Sequence, residues 1–268
     1  MASSPRSVIA VASGKGGVGK STVTANLAAA LRQQGLSVGL LDADIYGPSQ
    51  QLMLGVPDSQ TPEQQDGEFL LPVEAHGLKT MSMGYLASAE TPMVWRGPMA
   101  SSAMSQLLEK TLWGPLDVLL VDMPPGTGDI QLTLAQRATL AGAVIVTTPQ
   151  DIALLDARKG IEMFRKVEVP VLGLIENMSV HVCPACGHRE ALFGDQGGAT
   201  LAEQYSVPLL GQIPLSRTIR ECADAGQPIV LAEPDGDIAE SYRAAAIALM
   251  TALDLQQPTA GPVISMGD

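Results

Sequence analysis

An α/β fold with a mostly parallel sheet and helices on both faces, a three-layer arrangement, is predicted by three observations. Short runs that are apolar almost throughout alternate with stretches of helical periodicity, as in a sheet covered on both sides. A glycine-rich stretch, residues 13–22, lies between the first such strand and the first such helix. Asp42 and Asp122 each close an apolar run, where a parallel sheet gathers its polar chemistry at the carboxyl ends of its strands.

Residues 8–12 (Val-Ile-Ala-Val-Ala) are short, apolar and partly β-branched, which predicts a buried strand. After the glycine-rich stretch, Val23, Leu27 and Leu31 recur every four residues as one helix face, and Gly35 is placed to cap that helix. Residues 38–42 form the second strand. From about 47 to 98 the pattern loosens into Pro, Gly, Gln and Ser, with 69–71 and 78–83 expected to pair as a hairpin beside the main sheet. Strands are then expected at 118–122, 143–147, 171–175 and 209–213, and helices near 99–110, 130–140, 153–167, 199–205 and 238–253. No internal repeat is present. Residues 1–255 read as a single domain and 256–268 as a loose tail.

With 46% hydrophobic and 16% charged residues, 268 residues can bury a full core. Aromatics are only 3%, so the core is mostly aliphatic, and the 12 methionines serve as packing filler as readily as a binding surface. A net charge of −12 without any basic run argues against a nucleic-acid partner. No stretch approaches the ~18 apolar residues of a membrane span, and the first seven residues hold no apolar signal core, so no membrane is expected and a cytoplasmic location is.

Gly14, four residues, then Gly19-Lys20-Ser21 fit the phosphate-binding loop, and the flanking strand and helix supply the context that motif needs. Gly14, Gly16, Gly17 and Gly19, with Lys15, Val18 and Thr22 between and after them, allow backbone N–H groups to turn inward around phosphate oxygens, and the helix N-terminus adds its positive end. Lys20 would reach the β and γ phosphates of ATP, and the Ser21 hydroxyl would coordinate Mg²⁺. At the end of the second strand, Asp42 and Asp44 could serve Mg²⁺ and its water shell or orient an attacking water. Residues 118–122 have the form of a Walker B strand whose Asp122 would hold Mg²⁺ through water. The loop that follows, 123–129, could sense the γ-phosphate through Gly126 or Gly128.

Cys183 and Cys186, flanked by His181 and His188, follow the strand expected to end near Asn177-Met178. They supply half of a tetrahedral zinc site or half of the thiolates a cubane cluster takes. A zinc knuckle using the histidines, a redox pair, and a cluster shared by two chains are all compatible with that spacing. Cys222, alone on a helical stretch, reads as a packed thiol.

Lys15 fills a position that the general loop pattern leaves free, and in this the loop resembles the deviant loop of the MinD, ParA and nitrogenase iron protein group. That resemblance implies a homodimer with ATP sandwiched between chains, Lys15 reaching the partner's nucleotide, Asp44 positioning the attacking water and Asp42 supporting it. Residues 13–22, 42–49, 95–99, 122–129, 147–150, 176–178 and 183–187 together closely resemble the Mrp/ApbC iron–sulfur carrier ATPases, in order, over about 8–253. This resemblance implies a slow ATPase that holds a [4Fe–4S] cluster between subunits on Cys183 and Cys186. It also implies cluster delivery to apo client proteins, scaffold proteins as donors, and an Asn177 contact to adenine. Residues 95–99 have no assigned role beyond a packed loop corner. Two alternatives are a MinD/ParA-like regulatory switch with structural zinc and a simple metabolic kinase; residues 261–268 lack the basic anchor expected of the first, and no acceptor-site motif marks the second.

Overall fold

The computed structural model describes residues 4–86 and 97–256. In chain order its strands are β1 (Ser7–Ala12), β2 (Val38–Asp42), β3 (Gln64–Gln65), β4 (Phe69–Leu70), β5 (Val73–Ala75), β6 (Leu78–Ser82), β7 (Val118–Asp122), β8 (Gly142–Thr147), β9 (Val171–Val182), β10 (Arg189–Glu190) and β11 (Leu209–Leu215). The helices are α1 (Lys20–Gln33), α2 (Gln50–Met53), α3 (Gly97–Lys110), α4 (Asp129–Arg137), α5 (Asp151–Lys166), α6 (Gly197–Tyr205), α7 (Arg217–Asp224), α8 (Ile229–Ala232) and α9 (Asp237–Gln256).

The main sheet has nine strands in the order β10-β9-β8-β1-β7-β2-β6-β5, with β11 added to β9. All its pairings are parallel except β5 with β6 and β10 with β9. β1, β2, β7 and β8 are buried along nearly their whole length, which is why they read as unbroken apolar runs instead of alternating ones. Helices α1, α8 and α9 pack together, and α9 also lies against β11. A second group, α5 and α6, lies over β8 and β9. Ile9, Leu27, Leu40, Leu120, Phe164 and Tyr242 are fully buried in this core.

Register positions the chemistry. Asp42 stands directly opposite Asp122 across the β2/β7 pair, and β1, which leads into the glycine-rich loop, runs beside β7 with Val11 opposite Asp122. Both carboxylates and the loop therefore emerge at one end of the sheet, side by side.

Two expectations are corrected. Residues 69–71 and 78–83 do not pair as a hairpin. β4 instead pairs antiparallel with β3, while β6 pairs antiparallel with β5 and joins the main sheet beside β2. The short β3 and β5 carry too few residues to show a period, so their claim on these partners is invisible in the sequence. The strand expected to stop near Asn177-Met178 continues to Val182, passing through Met178 in the left-handed region (φ 57°). A positive φ at a methionine breaks the regular pleat locally and hides the continuity of β9. Residues 95–96 and the tail beyond Gln256 lie outside the described residues.

Candidate nucleotide and cysteine sites

Residues 15–22, with Asp44, Ser49 and Pro125, line a cleft of about 210 Å³ at the carboxyl end of β1, β2 and β7. Two of the loop glycines are required by what surrounds them. A Cβ on Gly14 would collide with the Asp156 backbone of α5. Gly19 holds a left-handed φ of 80° at the start of α1, and a Cβ there would collide with the Asn177 amide. The loop is thus wedged between α5 on one side and β9 on the other.

Lys20 is buried at the first position of α1, and its Nζ lies 2.5 Å from Asp122 Oδ1 and 3.2 Å from the Ser21 hydroxyl. Thr24 Oγ1 donates to the same Asp122 oxygen at 3.2 Å. Asp122 Oδ2 accepts from Gln50 Nε2 at 2.8 Å. A fully buried carboxylate is tolerable only with this much compensation. Lys20, Ser21 and Asp122 therefore meet at one point, as the motifs expect.

Asp42, also fully buried, is used differently. Its Oδ2 accepts from the Ser49 N–H at 2.9 Å, the Gln50 N–H at 3.0 Å and the Ser82 hydroxyl at 3.2 Å, and its Oδ1 accepts from the Asp44 N–H at 3.1 Å. The carboxylate folds residues 44–50 around itself. Burial and the neighbouring Asp122 charge push Asp42 up to about 7, against the pull of the backbone N–H groups and Lys20. Asp44 is half-buried on the cleft wall; burial raises it, with Lys20 opposing and Asp122 assisting. Lys15 is half-buried on the same wall and forms no ion pair among the described residues.

In the loop after β7, the Gly126 N–H donates to Ser13 O at 2.9 Å, and Gln131 Nε2 donates to the carbonyls of Pro124 (3.2 Å) and Pro125 (2.5 Å). The segment expected to sense phosphate is thereby tied to the loop that would bind it. Gln50, Thr24 and Gln131 were not singled out by motif. A lone Gln opening a four-residue helix carries no spacing signal, and only Thr24, four residues after Lys20 on α1, is placed by helical geometry to reach the same point.

β9 links this cleft to the cysteines. Asn177 Nδ2 donates to the Val18 carbonyl of the glycine-rich loop at 2.8 Å. The next polar side chain inward, Glu176, is buried and accepts from the Gly198 N–H (2.5 Å) and Gln212 Nε2 (2.8 Å). At its far end β9 turns through Cys183 to Cys186 and returns as β10. The turn is closed by Cys183 N–H to His188 O and Gly187 N–H to Cys183 O, both 2.9 Å, with Gly187 at φ 72°. Cys183 is half-buried, Cys186 is exposed and neither is in a disulfide. Backbone N–H groups of Ala185 and then Cys186, followed by the Cys186 thiol, hold the Cys183 thiol below its ordinary range, which suits a thiolate ligand. Among the described residues, no three His, Cys, Asp or Glu side chains converge as a metal-binding set. His181 and His188 thus do not complete a closed four-ligand site around the cysteines within one chain. Cys222 lies half-buried on α7, its thiol raised by burial and then by Glu233 and Glu221, and it packs at the edge of the core.

A parallel sheet, a glycine-rich loop opening a helix, and a lysine meeting a strand-end aspartate define a P-loop NTPase. The family described as ParA: NUBPL iron-transfer P-loop NTPase matches residues 4–250, and this chain belongs to it. It is 59% identical to an iron–sulfur cluster carrier protein of Pseudomonas fragi over 242 residues, 90% of this chain and 84% of that one. It is 58% identical to the Escherichia coli K12 iron–sulfur cluster carrier protein over 238 residues, 89% of this chain; the chain spans 64% of the length of that relative. The mouse iron–sulfur cluster transfer protein NUBPL is 52% identical, over 88% of this chain and 74% of its own. Among solved structures, a nucleotide-binding protein from Archaeoglobus fulgidus in complex with ADP superposes with a TM-score of 0.75 at 39% identity, covering 88% of this chain and 91% of that one. MinD of Pyrococcus furiosus superposes at 0.68 with 23% identity, over 91% and 98%, a likeness of fold alone. No helix among the described residues is long and apolar enough to cross a membrane.

Proposed function

We propose that this chain binds and hydrolyses ATP and carries a [4Fe–4S] cluster as cargo, held between two copies of the chain and released to apo-proteins. The observation that carries this reading is the course of β9, which contacts the nucleotide loop through Asn177 and continues directly into the Cys183/Cys186 turn. The printed descriptions of the relatives, iron–sulfur cluster carrier and transfer proteins, support the cargo.

Within that reading residues 14–22 cradle the phosphates, Lys20 moves from Asp122 to the β and γ oxygens, and Asp44 orients the attacking water on the cleft wall. Ser21 and Asp122 fit a Mg²⁺ ion, since they converge beside Lys20, and Asp42 supports them by fixing the loop that carries Asp44. When bound, Mg²⁺ would neutralise phosphate charge in the transition state. Lys15, whose side chain pairs with no other among the described residues, reaches a second copy's nucleotide. Asn177 keeps its carbonyl oxygen for the base while its amide nitrogen holds Val18. With only two cysteine thiolates at the turn, four-thiolate coordination requires two chains. The regulatory switch with structural zinc is less well supported, because the histidines beside the cysteines do not converge on them.

The test is transfer. Cluster-loaded protein incubated with an apo-acceptor of the [4Fe–4S] type should restore the acceptor's absorbance and activity, and Cys183→Ala should not. An acceptor equally restored by Cys183→Ala would sink the proposal.

A further inference from the structure

Gln50 holds an unusual place in the nucleotide site. It is fully buried, and its side-chain Oε1 has no hydrogen-bond partner among the described residues, although its other polar groups are engaged. Its backbone N–H goes to Asp42 Oδ2 at 3.0 Å, and its Nε2 goes to both Asp122 Oδ2 (2.8 Å) and the Ser21 carbonyl (2.9 Å). Because a carboxylate and a carbonyl can only accept, the amide nitrogen must face them and the oxygen must be the orphan. Among the described residues, Gln50 is thus the side chain that bridges the Walker B aspartate to the backbone of the residue after the P-loop lysine, while its own main chain is clamped by the second buried carboxylate. A buried acceptor left without a donor is costly, and such an exception calls for an explanation.

We infer that Gln50 is a positioning residue of the metal–phosphate site: it holds the Asp122 carboxylate in place once Lys20 leaves for the phosphates, and its free Oε1 accepts a hydrogen bond from the hydrated Mg²⁺–nucleotide. This rests on the ATP-binding reading above. At present Asp122 is held from one side by Lys20 and Thr24 on Oδ1, and from the other by Gln50 on Oδ2. Moving Lys20 to the phosphates takes away the only cation paired with Asp122 among the described residues, and Thr24 supplies one neutral bond. Gln50 then becomes the fixed reference for the carboxylate. Groups that orient metal-binding carboxylates without touching the metal are worth roughly 10- to 100-fold in metal affinity or activity when removed.

The experiment compares Gln50→Leu and Gln50→Met with the parent full-length chain, following a fluorescent ATP analogue in EDTA and then across a Mg²⁺ titration, together with kcat and KM. The expected result is nucleotide affinity in EDTA within about twofold of the parent, a half-saturating Mg²⁺ concentration raised by roughly 10-fold or more, and a fall in kcat larger than the change in KM. Two substitutions are needed because burying an apolar end beside Asp122 could cost folding in one of them; circular dichroism and melting of the metal-free chain identify which is usable. If both fold and both keep the parent's Mg²⁺ dependence, Gln50 is packing only. Affinity lost equally with and without Mg²⁺ also overturns the inference, since it points to general damage of the loop. A parent that fails to bind the analogue under any condition refutes the ATP reading itself, a result distinct from either of these.

Discussion

The nucleotide end and the cysteine end of β9 are built on opposite plans. At the first, Lys20, Asp42, Asp122 and Gln50 are buried and held by close-spaced hydrogen bonds before any ligand is present. At the second, half-buried Cys183 and exposed Cys186 sit on a short turn fixed by two backbone bonds, and among the described residues no third His, Cys, Asp or Glu side chain converges with them. The difference assigns the work. The buried end is pre-organised, so its specificity is already present in one chain. In the function proposed above, the cysteine end supplies two of the four thiolates and a second copy of the chain supplies the others.

Substitutions separate the two plans most sharply at Lys20. Lys20→Ala leaves Asp122 as a buried anion without its cation, so the chain should lose ATP binding and also about 3–5 kcal/mol of stability. Nucleotide titration and urea unfolding check this, and a variant as stable as the parent would mean the ion pair is not the organising contact. At the other end, Cys183→Ala or Cys186→Ala should abolish cluster binding at little cost in stability, no more than about 0.5 kcal/mol for exposed Cys186. Cys222→Ala should keep the cluster. If either cysteine at the turn proved important for folding, the contrast between the two ends would fail.

Smaller effects sharpen the roles inside the nucleotide end. Asp44→Asn should lower kcat by roughly 100-fold or more with little change in ATP affinity, because a water-positioning group acts mainly in the transition state. Unchanged kcat would remove Asp44 from the reaction. Lys15→Ala should bind ATP as the parent does but fail to dimerise with it, and wild-type turnover in that variant would rule out a cross-subunit role.

A further prediction is a pH slope. Asp42 has a folded-state value raised from 3.8 to about 7, so the folded chain holds this proton more tightly than the unfolded one. Its contribution to stability is fully present below about pH 4 and is lost as pH rises toward 7. Unfolding of the nucleotide-free chain between these limits should show that loss, and Asp42→Asn should flatten it. A slope of the opposite sign specific to Asp42 would mean that its hydrogen bonds outweigh its burial.

The same two ends differ in how legible they are from sequence. The glycine-rich loop, Lys20 and Asp122 follow from spacing, because phosphate binding by backbone N–H groups dictates glycine positions and strand ends dictate where acids stand. β2 and β7 were read residue for residue since a strand buried on both faces is one apolar run with polar residues at its limits. Gln50 was not legible, because its importance comes from residues 42, 21 and 122 converging in space. The hairpin expected between residues 69–71 and 78–83 does not form because their true partners, β3 and β5, are two- and three-residue strands with no period, and β9 is longer than expected because a left-handed Met178 interrupts its pattern. The Cys183/Cys186 spacing was plain, but zinc, redox and cluster readings are all compatible with it, and among the described residues no third His, Cys, Asp or Glu side chain converges with the pair to choose between them.

The most direct test of the central claim is anaerobic reconstitution with iron and sulfide, followed by mass, metal content and visible absorbance of the same sample. The account predicts a dimer with about four irons and thiolate-to-iron absorption, lost together with the dimer's metal when Cys183 or Cys186 is replaced. One zinc per monomer, tightly held and unchanged by this treatment, would contradict it.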